Sequence, residues 1–161
     1  MIIFYICVKY SCLLSCIFII QTFKTNMKYY ENKPQGYYDN VREEMLKYLP
    51  ENAKKVLDIG CGNGAFASVV KDKNKAEVWG IELMEVEAKV AVDVLDKVFV
   101  GNCEKYINGL PEKYFDVIYM NDVLEHLVDP YTVLETLKSK LAPNGVVISS
   151  IPNVRFFRTF S

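Results

Sequence analysis

An excess of positive charge is what this sequence most clearly lacks. Its 19 Lys and Arg stand against 20 Asp and Glu, a formal net charge of −1. Nucleic-acid backbones are bound chiefly through clustered cations, so a nucleic-acid partner is not expected. Histidine occurs once, at His126. The five cysteines (Cys7, Cys12, Cys16, Cys61, Cys103) form no C-x-x-C pair and no zinc-type spacing. An odd, scattered set reads as free thiols in a reducing compartment. There is no internal repeat and no low-complexity tract. With 51% hydrophobic and 24% charged residues, the chain is globular in composition, and 161 residues suffice for one domain with a real core.

The longest apolar stretch is residues 1–23, MIIFYICVKYSCLLSCIFIIQTF. It has the length to span a bilayer, yet Lys9 interrupts it. It has neither a basic leading region nor a small-residue cleavage site, so it does not read as a secretory signal. Three readings stay open. It is a membrane anchor with Lys24 and Lys28 holding the following domain in the cytoplasm, an extension foreign to the natural product that ends before Met27, or a packed helix. Residues 1–26 therefore stand apart from a domain over 27–161, and any membrane contact rests on residues 1–23.

Hydrophobic periodicity organises the rest. Tyr37 to Leu49 reads as an amphipathic helix, with Val41, Met45 and Leu49 on one stripe, Asn40 as cap and Pro50 as stop. Strands are expected over Lys55–Ile59, Ala76–Glu82, Lys97–Gly101, Phe115–Met120 and Val146–Ile151. Helices fall between them: one from the glycine loop to about Val70, one over Glu85–Leu95 with Ala88, Val92 and Leu95 inward, and a short one around Glu104–Ile107. A last helix opens at Asp129-Pro130, with Leu134, Leu137 and Leu141 buried. Strands apolar on both faces that alternate with helices imply an α/β fold, a doubly wound parallel sheet. Ligands of such folds sit outside the carboxyl ends of the strands. The glycine loop, Glu82, Asn102 and Asn121-Asp122 would share that rim.

The loop is VLDIGCGNGAF, with Gly60, Gly62 and Gly64 in five residues. Its spacing fits the dinucleotide fingerprint as well as a methyl-donor loop. Asp58, two residues before Gly60, works against a pyrophosphate and suits a cationic ligand such as S-adenosylmethionine. Glu82 can accept both ribose hydroxyls and serves either ligand. An NAD-dependent oxidoreductase is therefore the alternative enzyme class.

VLDIGCGNGAF resembles the first motif of the class I S-adenosylmethionine-dependent methyltransferases. The resemblance continues through GIEL (Gly80–Leu83), GNCE (Gly101–Glu104), FDVIYMNDVLEHLVDP (Phe115–Pro130) and LAPNGVVISSIPNVR (Leu141–Arg155). It implies a Rossmann-like sheet and S-adenosylmethionine as cofactor. It also implies roles position by position. Asp58, Gly60, Cys61, Gly62 and Gly64 surround the methionine end, and Glu82 holds the ribose. Leu83 and Met84 flank the adenine, and Asn102 and Cys103 lie at its amine. Asn121 and Asp122 close the pocket. Asn102 stands where the family often has Asp, which removes a charge from that contact.

Asp122-Val123-Leu124-Glu125-His126 resembles the E-x-x-E-H stretch of ubiquinone-biosynthesis-type O-methyltransferases. Glu125 and His126 are the candidate catalytic pair, with three roles open: fixing the loop by hydrogen bonds, acid/base work by His126, or a divalent metal on Asp122, Glu125 and His126. A dedicated base is not obligatory, because alignment alone carries much of a methyl transfer, and a divalent metal is possible but not expected. A helical segment would put Asp122 and His126 on one face.

The family's sheet usually has seven strands, and the last of them are expected to be missing after Ser161, as in a fragment. The fifth strand would be an apolar edge, to be covered by further chain or by a partner copy. A cofactor-binding module that needs such completion is the non-enzyme alternative. Arg155 reads either as a contact for an anionic acceptor or as a solvated arginine. The acceptor expected is a small molecule or a glycan.

Overall fold

The computed structural model describes residues 41–151. Expectations for residues 1–26, for Tyr37 to Asn40 and for Arg155 lie outside that range. Among the described residues, no helix is long and apolar enough to cross a membrane.

Five parallel strands form one sheet: β1 (Lys55–Ile59), β2 (Glu77–Glu82), β3 (Lys97–Val100), β4 (Phe115–Asn121) and β5 (Leu141–Ser150), in the order β3-β2-β1-β4-β5. Helices α1 (Glu43–Leu46), α2 (Ala65–Asn74), α3 (Glu85–Ala91), α4 (Cys103–Tyr106) and α5 (Pro130–Lys140) connect and cover them. Two buried clusters show the two-sided cover. Met45, Phe66, Val70 and Ala91 pack with Val56, Val78, Val117 and Tyr119. Cys103, Ile107, Val133 and Leu137 pack with Leu57, Ile59, Ile81, Ile118 and Met120. Alternate strand residues feed opposite clusters, so both sheet faces need apolar side chains. Each fully buried aliphatic side chain contributes roughly 1.5–3 kcal/mol.

The strand order reverses between β1 and β4, and the chain leaves these neighbouring strands toward opposite sides. The carboxyl ends of the five strands thus form one open rim.

Several boundaries differ from the sequence reading. Of the described part of the first expected helix, Glu43–Leu46 is helical, and Arg42 occupies the cap position without a side-chain cap bond. Met45 and Leu49 are buried, but Val41 is not. Helix α3 stops at Ala91, so the inward face runs Ala88, Ala91, Leu95 and leaves Val92 56% exposed. On α5 the buried positions are Val133, Leu137 and Lys140, a 3.6-residue stripe offset from the expected one. Lys140 buries its stem and sends its amine to Glu112. Leu141 is the first residue of β5, paired with Phe115, rather than the last of a helix. The Pro143-Asn144-Gly145 turn survives as an irregularity inside that strand, with Asn144 at φ +67°.

Candidate functional site

Register brings the strand ends together. Ile59 lies beside Ile81 on one side and Met120 on the other, Glu82 beside Val100, and Asn121 beside Ser150. The glycine loop, Glu82, Asn102 and Asn121-Asp122 therefore line one rim, as the sequence implies. Ser150, from the end of β5, joins it unforeseen.

The loop after β1 is held by its backbone. The Gly60 N–H donates to Ile81 O at 2.7 Å, and the Gly64 N–H to Cys61 O at 2.9 Å. Gly60 adopts φ +76°, and a Cβ there would meet Val123 Cγ2 at 2.5 Å. Only glycine fits both demands. The Cys61 side chain is buried, and its sulfur would lie 2.6 Å from a Cβ on Gly80. Burial pushes the Cys61 thiol far above its ordinary range, so it is a packing group rather than a nucleophile.

Glu82 ties this loop to β2. Its Oε2 accepts the Gly62 N–H and its Oε1 the Met84 N–H, both at 2.8 Å. Burial raises the Glu82 pKa while these backbone bonds oppose the rise. Asp58 lies below, 3% exposed, and its Oδ1 has no hydrogen-bond partner. Burial, then the neighbouring Glu82 charge, pushes Asp58 up to about 8. A buried carboxyl with an unmet oxygen and an acidic neighbour favours an incoming cation and opposes an anion. The rim therefore fits a sulfonium-bearing cofactor without phosphate and fits a dinucleotide pyrophosphate poorly.

Beyond Glu82 the rim turns apolar. Leu83 is 39% exposed, and Met84 is half-buried beside it. Asn102 is already engaged: its Oδ1 caps α4 by accepting the Glu104 N–H at 2.9 Å, and its Nδ2 donates to Glu104 Oε2 at 3.2 Å. Cys103 is turned into the core, where burial pushes its thiol up to about 11. Glu104 Oε1 is buried without a partner. The sequence reading quoted Glu104 within GNCE but gave it no role.

On the far side, Asn121 Oδ1 is also buried and unpartnered. Asp122 adopts φ +55°, and a short 3-10 turn over Leu124–His126 follows. The expected helical spacing of Asp122 and His126 does not arise, because the left-handed residue breaks the run. Among the described residues, no three His, Cys, Asp or Glu side chains gather as a metal-ligand set. The Asp122 carboxylate is instead taken by Arg42 and by the Ser150 hydroxyl at 2.9 Å. His126 Nε2 lies 3.9 Å from Glu125 Oε1, and both side chains are partly exposed. Arg42, like Ser150, is a residue that sequence reasoning missed. It sits ahead of a four-residue helix, and nothing local marks it as part of the rim.

Comparison with known proteins agrees with this geometry. Residues 29–159 match the methyltransferase domain family. An uncharacterized protein of Haemophilus influenzae is 34% identical over 115 residues, which span 66% of this chain and 45% of that protein. The ubiquinone biosynthesis O-methyltransferase of Histophilus somni is 33% identical over 125 residues, spanning 69% and 52% respectively. The crystal structure of a SAM dependent methyltransferase from Archaeoglobus fulgidus aligns with a TM-score of 0.66 at 25% identity, covering 81% of this chain and 60% of that one. The chain spans about half the length of the curated relatives it matches. Sheet order, glycine loop and relatives agree, and the chain belongs to the class I S-adenosylmethionine-dependent methyltransferase family.

Proposed function

We propose that this chain binds S-adenosylmethionine along the rim and supports methyl transfer to a hydroxyl of a small-molecule or glycan-type acceptor. The observation that carries the cofactor is the acidic pair under the glycine loop, Asp58 with its unmet Oδ1 and Glu82. The oxygen acceptor follows the O-methyltransferase relatives. When bound, the cofactor supplies an electrophilic methyl on a cationic sulfur. Gly60 to Gly64 seat its methionine end, and Asp58 and Glu82 supply the opposite charge below. Glu82 retains acceptor capacity for ribose hydroxyls, since each oxygen spends one lone pair on a backbone N–H. Leu83 and Met84 offer an apolar platform to the adenine. The chain's main contribution is alignment of acceptor and methyl at the rim.

His126 is the group for the acceptor proton in this reading. Its ordinary pKa lies near neutrality, and Glu125 stands beside it. If it takes the proton, His126→Ala lowers kcat by about 10²–10⁴-fold with the cofactor Kd unchanged. If it only fixes the loop, the loss falls on KM. Calorimetry with S-adenosylmethionine and with NAD, followed by methyl-release assays on hydroxylated acceptors, tests the whole reading. Binding of NAD alone overturns it.

A further inference from the structure

We propose that Glu104 is the residue that selects the base of the cofactor, accepting the adenine amine at its Oε1. This rests on the methyl-donor reading of the rim. Asn102, which the resemblance sets at that amine, positions Glu104 instead. Neighbouring strands lie about 4.8 Å apart, and this half of the sheet runs β1, β2, β3 outward. A ligand with its methionine end in the loop after β1, and its ribose on Glu82 at the end of β2, carries its base onward over the end of β3. Val100 ends β3 beside Glu82, and the Gly101 N–H donates to Glu82 O at 2.7 Å. Asn102 to Glu104 follow directly, at the place that the base reaches.

Asn102 is bound at both ends of its amide. Its Oδ1 accepts the Glu104 N–H at 2.9 Å, and its Nδ2 donates to Glu104 Oε2 at 3.2 Å. The second bond holds the carboxylate through Oε2 and leaves Oε1 buried with no hydrogen-bond partner. Such an oxygen carries a desolvation cost that an incoming N–H donor removes. The adenine amine is a donor of this kind, and its bond to a carboxylate is charge-assisted. The acid therefore stands two residues beyond the uncharged Asn102 and supplies the charge that Asn102 lacks. A purine with a carbonyl in place of the amine turns an acceptor toward an acceptor and leaves both oxygens unpaired. Glu104 thus separates adenine from a 6-oxo purine. Its grip is on the base, away from the sulfonium, so it bears on cofactor choice and not on the chemical step.

The test is calorimetry on the full 161-residue chain with S-adenosylhomocysteine and S-inosylhomocysteine, which carry an amine and a carbonyl at the same purine position. The wild-type chain is expected to prefer the adenine ligand by about tenfold or more. Glu104→Gln keeps the shape and turns an amide N–H toward the base. It is expected to weaken S-adenosylhomocysteine several-fold and to tighten S-inosylhomocysteine, so that the preference closes or inverts. Glu104→Ala is expected to lose the first ligand's advantage without tightening the second. A Glu104→Gln chain that keeps the wild-type preference overturns the proposal, whatever its melting temperature. So does a wild-type chain that binds the two ligands equally. If Glu104→Ala does not fold, the Glu104→Gln ratio decides alone, because a ratio of two affinities on one folded chain does not follow its stability. A wild-type chain that binds neither ligand overturns the methyl-donor reading instead, and so is distinguished from failure of base selection.

Discussion

Asp58 ties burial to stability and, under the proposed function, to cofactor affinity. Its pKa is raised to about 8 by burial and by Glu82, whereas an unfolded aspartate ionises near 4. Between those values the folded protein binds a proton that the unfolded chain does not. The carboxyl's contribution to stability is therefore complete below about pH 4 and is lost as pH rises through about 8. Melting temperatures of the ligand-free protein should show this as a decline with rising pH that is shallower in Asp58→Asn. Cofactor binding has the opposite sense, because the cation prefers ionised Asp58. The Kd for S-adenosylmethionine should tighten as pH rises toward about 8, by at most about tenfold per pH unit, and Asp58→Asn should flatten that slope. Gly60 gives a second residue-scale prediction. Gly60→Ala forces a left-handed alanine, at about 1–2 kcal/mol, and also drives its Cβ into Val123. Thermal melts should fall accordingly, and calorimetry should find cofactor binding strongly reduced.

At the scale of elements, α4 and β5 repay the closest reading. Helix α4 has four residues and depends on its cap. Asn102→Ala should cost about 1 kcal/mol by denaturant unfolding, since the Glu104 N–H loses its acceptor. Glu104→Gln removes the charge on the buried, unpartnered oxygen beside it. If that oxygen serves the adenine amine, Glu104→Gln should weaken S-adenosylmethionine binding several-fold with little change in melting temperature. Strand β5 runs from Leu141 through a proline and a glycine because its two ends both pair with β4, at Phe115 and from Val117 to Asn121. The turn residues between are shed as a bulge. Turn chemistry in the sequence marks that bulge correctly, but it cannot say that strand pairing begins before it.

For the molecule as a whole, the rim exists because five separate strand ends stop at one level. Ligand binding there should stabilise the whole sheet. At a hundredfold excess over Kd, S-adenosylmethionine should add about 2.7 kcal/mol to unfolding, and NAD should add nothing. Differential scanning calorimetry with each ligand checks this. The order β3-β2-β1-β4-β5 puts β5 at one margin among the described residues, yet Val147 and Ile148 are each only 4% exposed. Helices on the two faces cover these side chains, so their burial is decided by the faces and not by the strand's lateral neighbour.

Local chemistry in the sequence was enough to specify the alternation of strands and helices, the glycine loop, and the acids Asp58 and Glu82. Each depends on residues within one turn or one strand: an apolar run, a left-handed glycine, a carboxylate at a strand end. The same holds for the cap at Asp129, whose side chain accepts the Thr132 N–H at 3.0 Å. Tertiary structure alone decided what distant residues do to one another. It spent Asn102 on a helix cap, turned Cys103 inward and gave the Asp122 carboxylate to Arg42 and Ser150. Those outcomes follow from long-range register and from one left-handed backbone angle, neither of which leaves a periodic mark in the chain.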